Sequence, residues 1–122
     1  GSNCFLYAYE ITSAFEHEGL RSAYAIEAAR KQRAYARLNP STSSCLYAGG
    51  AKDIATRARQ HLGFGNKDTY AMHLCHWAVG LALGIRLTVA KYETDLGKEV
   101  RQALEDGLWE RTQPILGRKG AR

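Results

Sequence analysis

Residues 47–61 read Tyr-Ala-Gly-Gly-Ala-Lys-Asp-Ile-Ala-Thr-Arg-Ala-Arg-Gln-His and decide the fold. The first three residues are typical of a strand end followed by a glycine turn. The apolar residues after them recur at helical spacing, at Ile54, Ala58 and Leu62. Because Arg57 and His61 are one helical turn apart, we expect both on one flank of this helix, beside the apolar stripe. A strand-end tyrosine, a glycine that permits close approach and a cationic helix flank together indicate a phosphate-binding site.

The composition is that of one small folded domain with a basic balance of charge. The chain has 122 residues, of which 45% are hydrophobic and 24% charged, and its formal net charge is +5. This length supports a single modest core, and the positive charge favours an anionic partner such as nucleic acid. We interpret Gly1-Ser2 as a cloning scar, since no initiator methionine precedes it, and residues 3–122 as one domain.

The hydropathy pattern and the cysteines favour a cytoplasmic protein without a membrane segment. No apolar run approaches the roughly 20 residues that a membrane-spanning helix needs. The three cysteines are odd in number and form no Cys-x-x-Cys pair, so we expect no disulfide framework. Cys75 has histidines on either side, at 73 and 76, but a structural zinc site needs four converging ligands. We therefore expect an ordinary buried cysteine at this position.

Three segments have the composition of strands. Cys4–Ile11 is aromatic and β-branched, with Phe5, Tyr7, Tyr9 and Ile11 on one face. The other two predicted strands are the short Cys45–Tyr47 and the alternating Ile85–Tyr92.

Helical patterns occupy most of the remaining chain. Between the first two strands, Ser13 and Glu16 form a capping-box pattern, Gly19 interrupts, and Leu20–Leu38 is rich in helix formers. A loop follows at residues 39–44.

Two more helices are predicted after the central one. Thr69 is expected to cap a helix that runs to about Val79. The last helix is predicted over Leu96–Arg111, with Val100, Leu104 and Leu108 on its buried stripe, and Pro114 ends it. Strands and helices in this order predict an α+β layer fold.

Short motifs in the first half of the chain resemble the signature of the GIY-YIG nucleases. Residues 5–7, Phe-Leu-Tyr, stand in the place of the family's Gly-Ile-Tyr. Residues 47–49, Tyr-Ala-Gly, stand in the place of Tyr-Ile-Gly, and Arg57 and His61 follow at the family's spacing.

The C-terminal half extends the resemblance. Glu105 opens the run Glu-Asp-Gly-Leu-Trp and precedes Pro114 by nine residues, as in the family's metal-binding glutamate helix. Two positions depart from the family: Gly117 stands where asparagine is frequent, and Thr69 where some members have histidine. The resemblance implies a small three-stranded antiparallel sheet flanked by helices. The largest departure is at residues 12–44, where the family commonly has a short turn and where we expect a helical insert between strands 1 and 2.

The resemblance implies a metal-dependent DNA endonuclease. Glu105 would hold one divalent ion, Mg²⁺ or Mn²⁺, and Arg57 would bind the phosphate as its charge develops. Tyr7 would help to deprotonate the attacking water, while Tyr47 and His61 would order the hydrogen bonds around it. Such domains often rely on an additional DNA-binding domain or partner, which would lie outside this chain.

Basic residues beside these motifs are expected to bind DNA phosphates. Lys52 and Arg59 belong to the central helix, and the insert adds Arg30, Lys31, Arg33 and Arg37. The alternative for the insert is a solvated face on a stabilising element.

Each predicted catalytic residue also has an ordinary structural interpretation when it is considered alone. Tyr7 and Tyr47 are consistent with core aromatics, Arg57 with a solvated helix residue, and Glu105 with a surface glutamate. His61 is consistent with a histidine that interacts with the dipole at a helix end. Their common spacing against one template favours a site. The alternatives to an enzyme are a catalytically inactive nucleic-acid-binding module of the same fold and a protein–protein scaffold.

Overall fold

The computed structural model describes residues 4–92 and 97–120, which form three strands, three α-helices and two 3₁₀ turns. In chain order the main elements are β1 (Cys4–Ile11), α1 (His17–Ala29), β2 (Cys45–Ala51), α2 (Ile54–Leu62), β3 (Ile85–Tyr92) and α3 (Lys98–Thr112). The 3₁₀ turns are Leu74–His76 and Val79–Leu81. The predicted α+β class is confirmed, as are the predicted bounds of β1 and β3.

The three strands form one antiparallel sheet in the order β2-β1-β3, so β1 is the central strand. Tyr7 lies opposite Gly49 of β2 and Val89 of β3, and Tyr9 lies opposite Tyr47. Because directly paired residues project from the same face, the tyrosines at 7 and 47 share one face of the sheet. The prediction of a three-stranded antiparallel sheet is confirmed.

Strand β2 continues through the glycines that were predicted to form a turn. Gly49 and Gly50 pair with Tyr7 and Leu6 of β1, and the strand ends only at Ala51. These positions need glycine because other groups approach the backbone closely. A Cβ atom on Gly49 would lie 3.1 Å from the Tyr7 hydroxyl oxygen, and one on Gly50 would overlap the Glu105 carboxylate. The prediction of a turn was wrong, although the prediction that glycine permits close approach was right.

The core packs on the face of the sheet that carries the two tyrosines. Its buried members come from all parts of the chain: Tyr7, Tyr9, Ile11, Leu20, Tyr24, Leu46, Tyr47, Met72, Trp77, Ile115 and Leu116. Strand β3 is exposed along most of its length, at one edge of the sheet. The core therefore lies over β1 and β2, where the predicted site residues are.

Helix α1 is much shorter than the predicted Leu20–Leu38. It begins at His17, includes Gly19, and ends at Ala29, so Gly19 does not interrupt it. The predicted capping box does not form, because the Ser13 hydroxyl instead accepts the N–H of Gly84 at 2.8 Å. The helix-forming composition of the residues after Ala29 is overridden by bridges to distant segments, Tyr35 with Ala71 and Leu38 with Leu116. The cations at 30, 31, 33 and 37 therefore follow the helix instead of lying on it.

The segment predicted as a helix from Thr69 to Val79 does not form an α-helix. Ala71 exchanges backbone hydrogen bonds with Ala34 and Ala36, and His73 adopts a left-handed conformation with φ 50°. Only two 3₁₀ turns follow. Backbone groups bonded to a distant segment cannot also form a local helix, so tertiary pairing decides this region.

Helix α3 has the predicted position, but the face that it turns to the sheet is not the predicted apolar stripe. Its predicted first residue, Leu96, lies outside the described residues, and the helix is described from Lys98. Val100 and Leu104, which were predicted to be buried, are 49% and 40% exposed. Glu105 is instead directed to β2, against Gly50.

Two further sequence predictions concern cysteines and membranes. Cys4, Cys45 and Cys75 are free, which confirms the prediction of no disulfide framework. Among the described helices, none has the length and hydropathy that a membrane crossing requires.

Candidate active site

The hydroxyl group of Tyr7 is the centre of a buried hydrogen-bond network. Its oxygen lies 2.8 Å from Nε2 of His61 and 3.2 Å from Nε of Arg57. Nη2 of Arg57 donates to the Tyr47 hydroxyl, also at 3.2 Å. Two strands and one helix therefore bring four of the predicted site residues into direct hydrogen bonding.

The tautomer of His61 follows from its second nitrogen. Nδ1 accepts the backbone N–H of Met72 at 3.2 Å, so it carries no proton, and the neutral ring holds its proton on Nε2. Nε2–H therefore donates to the Tyr7 oxygen. Since Arg57 also donates to this oxygen, the hydroxyl proton of Tyr7 is directed away from both His61 and Arg57. His61 can orient Tyr7, but neither of its nitrogens has a lone pair available to accept a proton from water.

Local sequence sets the bounds of α2. The Asp53 side chain caps the helix by accepting the N–H of Thr56 at 3.1 Å. Gly63 ends it in the left-handed conformation that favours glycine, with φ 106°.

The buried face of α2 includes Ile54 and Ala58 of the predicted apolar stripe, but its most buried residue is His61 and it excludes Leu62. Leu62 is 43% exposed, whereas His61, expected beside the stripe, is fully buried. Burial of the imidazole is tolerated because both nitrogens are hydrogen-bonded and aromatic rings surround it. Its ring centroid lies 4.2 Å from that of Tyr47 and 5.5 Å from that of Tyr9. His61 does lie in the last turn of α2, as its structural interpretation required, but both of its nitrogens are bonded to Tyr7 and Met72 inside the protein.

Burial keeps the central groups of the network neutral. It raises the pKa of Tyr7 above the ordinary value, and the nearby Arg57 charge reverses only part of that effect. Burial also raises the pKa of Tyr9 to about 12. The pKa of His61 lies well below its ordinary range, first because of burial and second because of the Arg57 charge.

Arg57 is held more rigidly than a surface arginine. Besides the two tyrosine hydroxyls, Nη1 donates to Oε1 of Gln60 and to the carbonyl oxygen of Tyr70, both at 2.9 Å. Four of the five guanidinium N–H groups are therefore directed to protein acceptors. The guanidinium is oriented in advance, and it retains one N–H for a ligand.

An open cleft of about 220 Å³ lies beside this network, and Glu105 lines it together with Tyr7, Tyr47 and Arg57. The Glu105 carboxylate lies against Gly50, where any side chain would displace it. Asp106 also lines the cleft, but one of its oxygens accepts a hydrogen bond from Gln102 at 2.9 Å. All predicted catalytic residues except His61, which lies behind Tyr7, therefore contact the same cleft.

The composition of the cleft bears on which metal it suits. Within the described ranges, no group of three or more His, Cys, Asp and Glu side chains is placed to hold a metal ion. An open cleft lined by the Glu105 and Asp106 carboxylates fits Mg²⁺, which retains several waters and is often bound by one or two carboxylates.

The predicted DNA-binding cations are dispersed. Lys52 and Arg59 are exposed near the start and end of α2, and Lys52 lines a second cleft on the other side of Glu105. Arg30 pairs with Glu27 at 3.1 Å. Lys31 and Arg33 line a shallow groove beside α1.

Arg37 is the member of this set that is linked to the candidate site. Its backbone N–H donates to the Tyr70 hydroxyl at 3.0 Å, and its carbonyl accepts the N–H of Gly117.

Two residues that line the cleft were not identified from the sequence. Tyr70 was placed in a helix that does not form, and Arg118 was not among the predicted DNA-binding cations. Arg118 lies over the Tyr70 ring, with 5.2 Å from Cζ to the ring centroid. The sequence signal for Arg118 is the cluster of positive charge at the C-terminus, and the sequence pattern does not single out Tyr70.

Comparisons with known proteins find no match to this chain among family models, curated proteins or solved structures.

The neutral, buried histidines predict a loss of stability in mild acid. Burial is the main cause of the lowered pKa of both His61 and His73. Below about pH 6.5 the unfolded chain therefore binds protons that the folded chain excludes, so the free energy of unfolding falls as pH falls. The slope should approach about 1.4 kcal/mol per pH unit for His61, with a smaller addition from His73, and urea denaturation between about pH 7.5 and about pH 5.5 measures it.

A single substitution separates the two contributions. His73→Asn suits the left-handed backbone at this position, and should remove the smaller part of the pH dependence, because the pKa of His73 is lowered less far than that of His61. Equal stability of the parent protein across this pH range would contradict the neutral state of both rings.

Proposed function

We propose that this chain is a DNA endonuclease domain of the GIY-YIG type, in which residues 12–44 are a helical insert. The observation that carries the proposal is the convergence of Tyr7, Tyr47, Arg57 and Glu105 on one cleft, with His61 bonded behind Tyr7. These residues are up to 98 positions apart in the chain, and their spacing resembles the signature of the family. Their separate structural interpretations do not require a common cleft.

In this proposal Arg57 binds the scissile phosphate. Its guanidinium is fixed by Tyr7, Gln60, Tyr47 and the Tyr70 carbonyl, so little reorganisation accompanies binding. A preorganised cation in a partly water-excluded cleft stabilises charge on phosphoryl oxygens more strongly than the same cation in water.

Tyr7 is the proposed proton-transfer residue, and His61 its positioning residue. The Tyr7 oxygen receives N–H donors from His61 and Arg57, and the same two donors would stabilise a phenolate. Its raised pKa means that only a small fraction is ionised at neutral pH. Tyr47 stacks parallel to Tyr7, with ring centroids 6.2 Å apart. Arg57 donates a hydrogen bond to each of the two hydroxyl groups.

Glu105 is the proposed ligand of one divalent ion, Mg²⁺ or Mn²⁺. Because Gly50 has no side chain, there is room for the Glu105 carboxylate at the cleft that Tyr7 and Arg57 also line. When bound, such an ion would polarise a phosphoryl oxygen and lower the pKa of a bound water.

A catalytically inactive DNA-binding module is the second candidate. One observation favours it: Tyr7 is held neutral, and His61 has no lone pair with which to act as a base. The basic charge of the chain supports DNA as partner in either case. A cytoplasmic location, and a further DNA-binding domain or partner outside this chain, remain part of the proposal.

Metal-dependent nicking of plasmid DNA separates the two candidates. We expect nicking with Mg²⁺ or Mn²⁺, none with a chelator, and none for Glu105→Gln, which removes the charge at nearly constant volume. The matched control is Glu110→Gln, five residues further along α3, where the carboxylate pairs with Lys119 outside the cleft. Folding of both variants is checked by circular dichroism. Full activity of Glu105→Gln beside an inactive Glu110→Gln would reject the assignment, and DNA binding without any nicking would establish the second candidate.

Arg57→Ala should reduce turnover by about 10²–10³-fold, as expected when a preorganised charge donor is lost. It should also lower the melting temperature, since Tyr7, Tyr47 and Tyr70 lose hydrogen bonds from a half-buried side chain. Single-turnover cleavage, measured well below that temperature, isolates the chemical effect. Arg86→Ala on β3 is the control for loss of an exposed arginine, and near-normal turnover in a folded Arg57→Ala protein would show that Arg57 is structural.

The pH profile of cleavage distinguishes Tyr7 from His61 as the base. Because the pKa of Tyr7 is raised, its ionised fraction grows with pH, and log kcat/KM should rise by about one unit per pH unit between about pH 7 and about pH 9. His61, with its lowered pKa, is already neutral in this range and would give a plateau. Tyr7→Phe should lower the rate and flatten the profile. If kcat/KM of Tyr7→Phe still rises with pH, the group whose ionisation controls the rate is not Tyr7.

A further inference from the structure

The C-terminal segment after α3 places a second arginine at the mouth of the cleft. Pro114, Ile115 and Leu116 are buried, and the N–H groups of Ile115 and Leu116 donate to the carbonyls of Cys45 and Leu46 at 2.8 and 2.9 Å. This segment therefore follows the outer edge of β2. Arg118 comes directly after it and lines the cleft.

The position of Arg118 is determined by the buried residues around Gly117. The Asn39 amide donates to the carbonyls of both Pro114 and Gly117, and the Trp109 indole N–H donates to the Gly117 carbonyl at 3.2 Å. Gly117 has φ 94°, and a Cβ atom there would lie 2.7 Å from the Tyr47 ring. The backbone crosses Tyr47 in contact with it, so the next side chain extends over the cleft.

Tyr70 connects Arg118 to the phosphate-binding arginine of the proposed site. Its carbonyl oxygen accepts Nη1 of Arg57, and its ring lies under the Arg118 guanidinium, with 5.2 Å from Cζ to the ring centroid. Its hydroxyl accepts the backbone N–H of Arg37, which fixes the ring from the other end. Both guanidinium groups are therefore held by the same residue.

The charge of Arg118 is available to a ligand. No carboxylate pairs with it among the described ion pairs, whereas the neighbouring Lys119 pairs with Glu110 at 2.5 Å. Stacking on an aromatic ring uses the face of a guanidinium and leaves its N–H edge for an oxyanion. Bidentate N–H donation to phosphate oxygens is the geometry that this edge favours.

We propose that Arg118, supported by Tyr70, binds a backbone phosphate next to the one bound by Arg57, so that the cleft holds two successive phosphates of the cleaved strand. This inference rests on the proposed endonuclease function and adds to it a second contact on the substrate. It makes Arg118 a substrate-binding residue and Tyr70 a positioning residue. Neither contributes to bond cleavage.

The test compares Arg118→Gln with Arg111→Gln, which removes the same charge from an exposed position on α3 outside the cleft. For Arg118→Gln we expect the KM for a DNA oligonucleotide to rise about fivefold, with kcat unchanged. The log–log dependence of DNA affinity on salt should lose about 0.9 in slope, as for one phosphate contact. Arg111→Gln should match the parent protein in all three quantities.

Two further variants test the support from Tyr70. Arg118→Lys should restore the salt slope, because the charge returns, but only part of the affinity. Tyr70→Leu should reproduce the affinity loss of Arg118→Gln, and Tyr70→Phe should retain most of the affinity because the ring remains.

The outcomes separate this inference from the function on which it rests. If the parent protein neither binds nor cleaves DNA, the proposed function fails, and this inference fails with it. If the parent cleaves DNA while Arg118→Gln has unchanged KM and salt slope, only the second phosphate site is rejected. A fall in kcat alone would also reject it, since Arg118 would then act on the chemical step.

Discussion

The hydrogen bonds that converge on the Tyr7 hydroxyl are the constraint on which the rest of the structure depends. Tyr7 lies in the central strand and is 2% exposed, so its hydroxyl must find partners inside the protein. Arg57 and His61 supply them, which requires the polar face of α2 to pack against the sheet. His61 in turn requires a donor for Nδ1, and the backbone of Met72 provides it. A helix through Met72 would commit that N–H to a local bond, so the extended path after α2 follows from the same network.

This network places charge and polarity where a small domain would otherwise have apolar packing. A half-buried arginine and a buried neutral histidine are stable here because their polar atoms are hydrogen-bonded. Such an arrangement contributes less to stability than well-packed aliphatic side chains, but it holds Tyr7 and Arg57 in one geometry at the surface of an open cleft. The position of the network beside the cleft is the reason to interpret it as functional. A polar cluster that only stabilised the core would have no need of access to solvent.

The sequence predicted those elements whose structure depends on near neighbours in the chain. Cys4–Ile11 and Ile85–Tyr92 were predicted with their observed bounds, because alternation and β-branched or aromatic content act locally. Prediction from the sequence was wrong where long-range contacts compete with local preference. The residues after Ala29 have helix-forming composition, yet Tyr35 and Leu38 form bridges to residues 71 and 116. Apolar spacing was similarly a poor guide to burial, since Leu62 and Leu104 are exposed while His61 is buried.

Sequence alone determined the α+β class, the chain positions of Tyr7, Tyr47, Arg57, His61 and Glu105, and the basic balance of charge. Spacing along a strand or helix is a local property, so it can be read without knowing the fold. Only the tertiary structure decided that Glu105 faces the sheet, that His61 donates to Tyr7, and that Tyr70 and Arg118 join the same cleft. These depend on how distant segments pack, because a buried polar atom accepts whichever partner the completed fold brings within hydrogen-bonding distance.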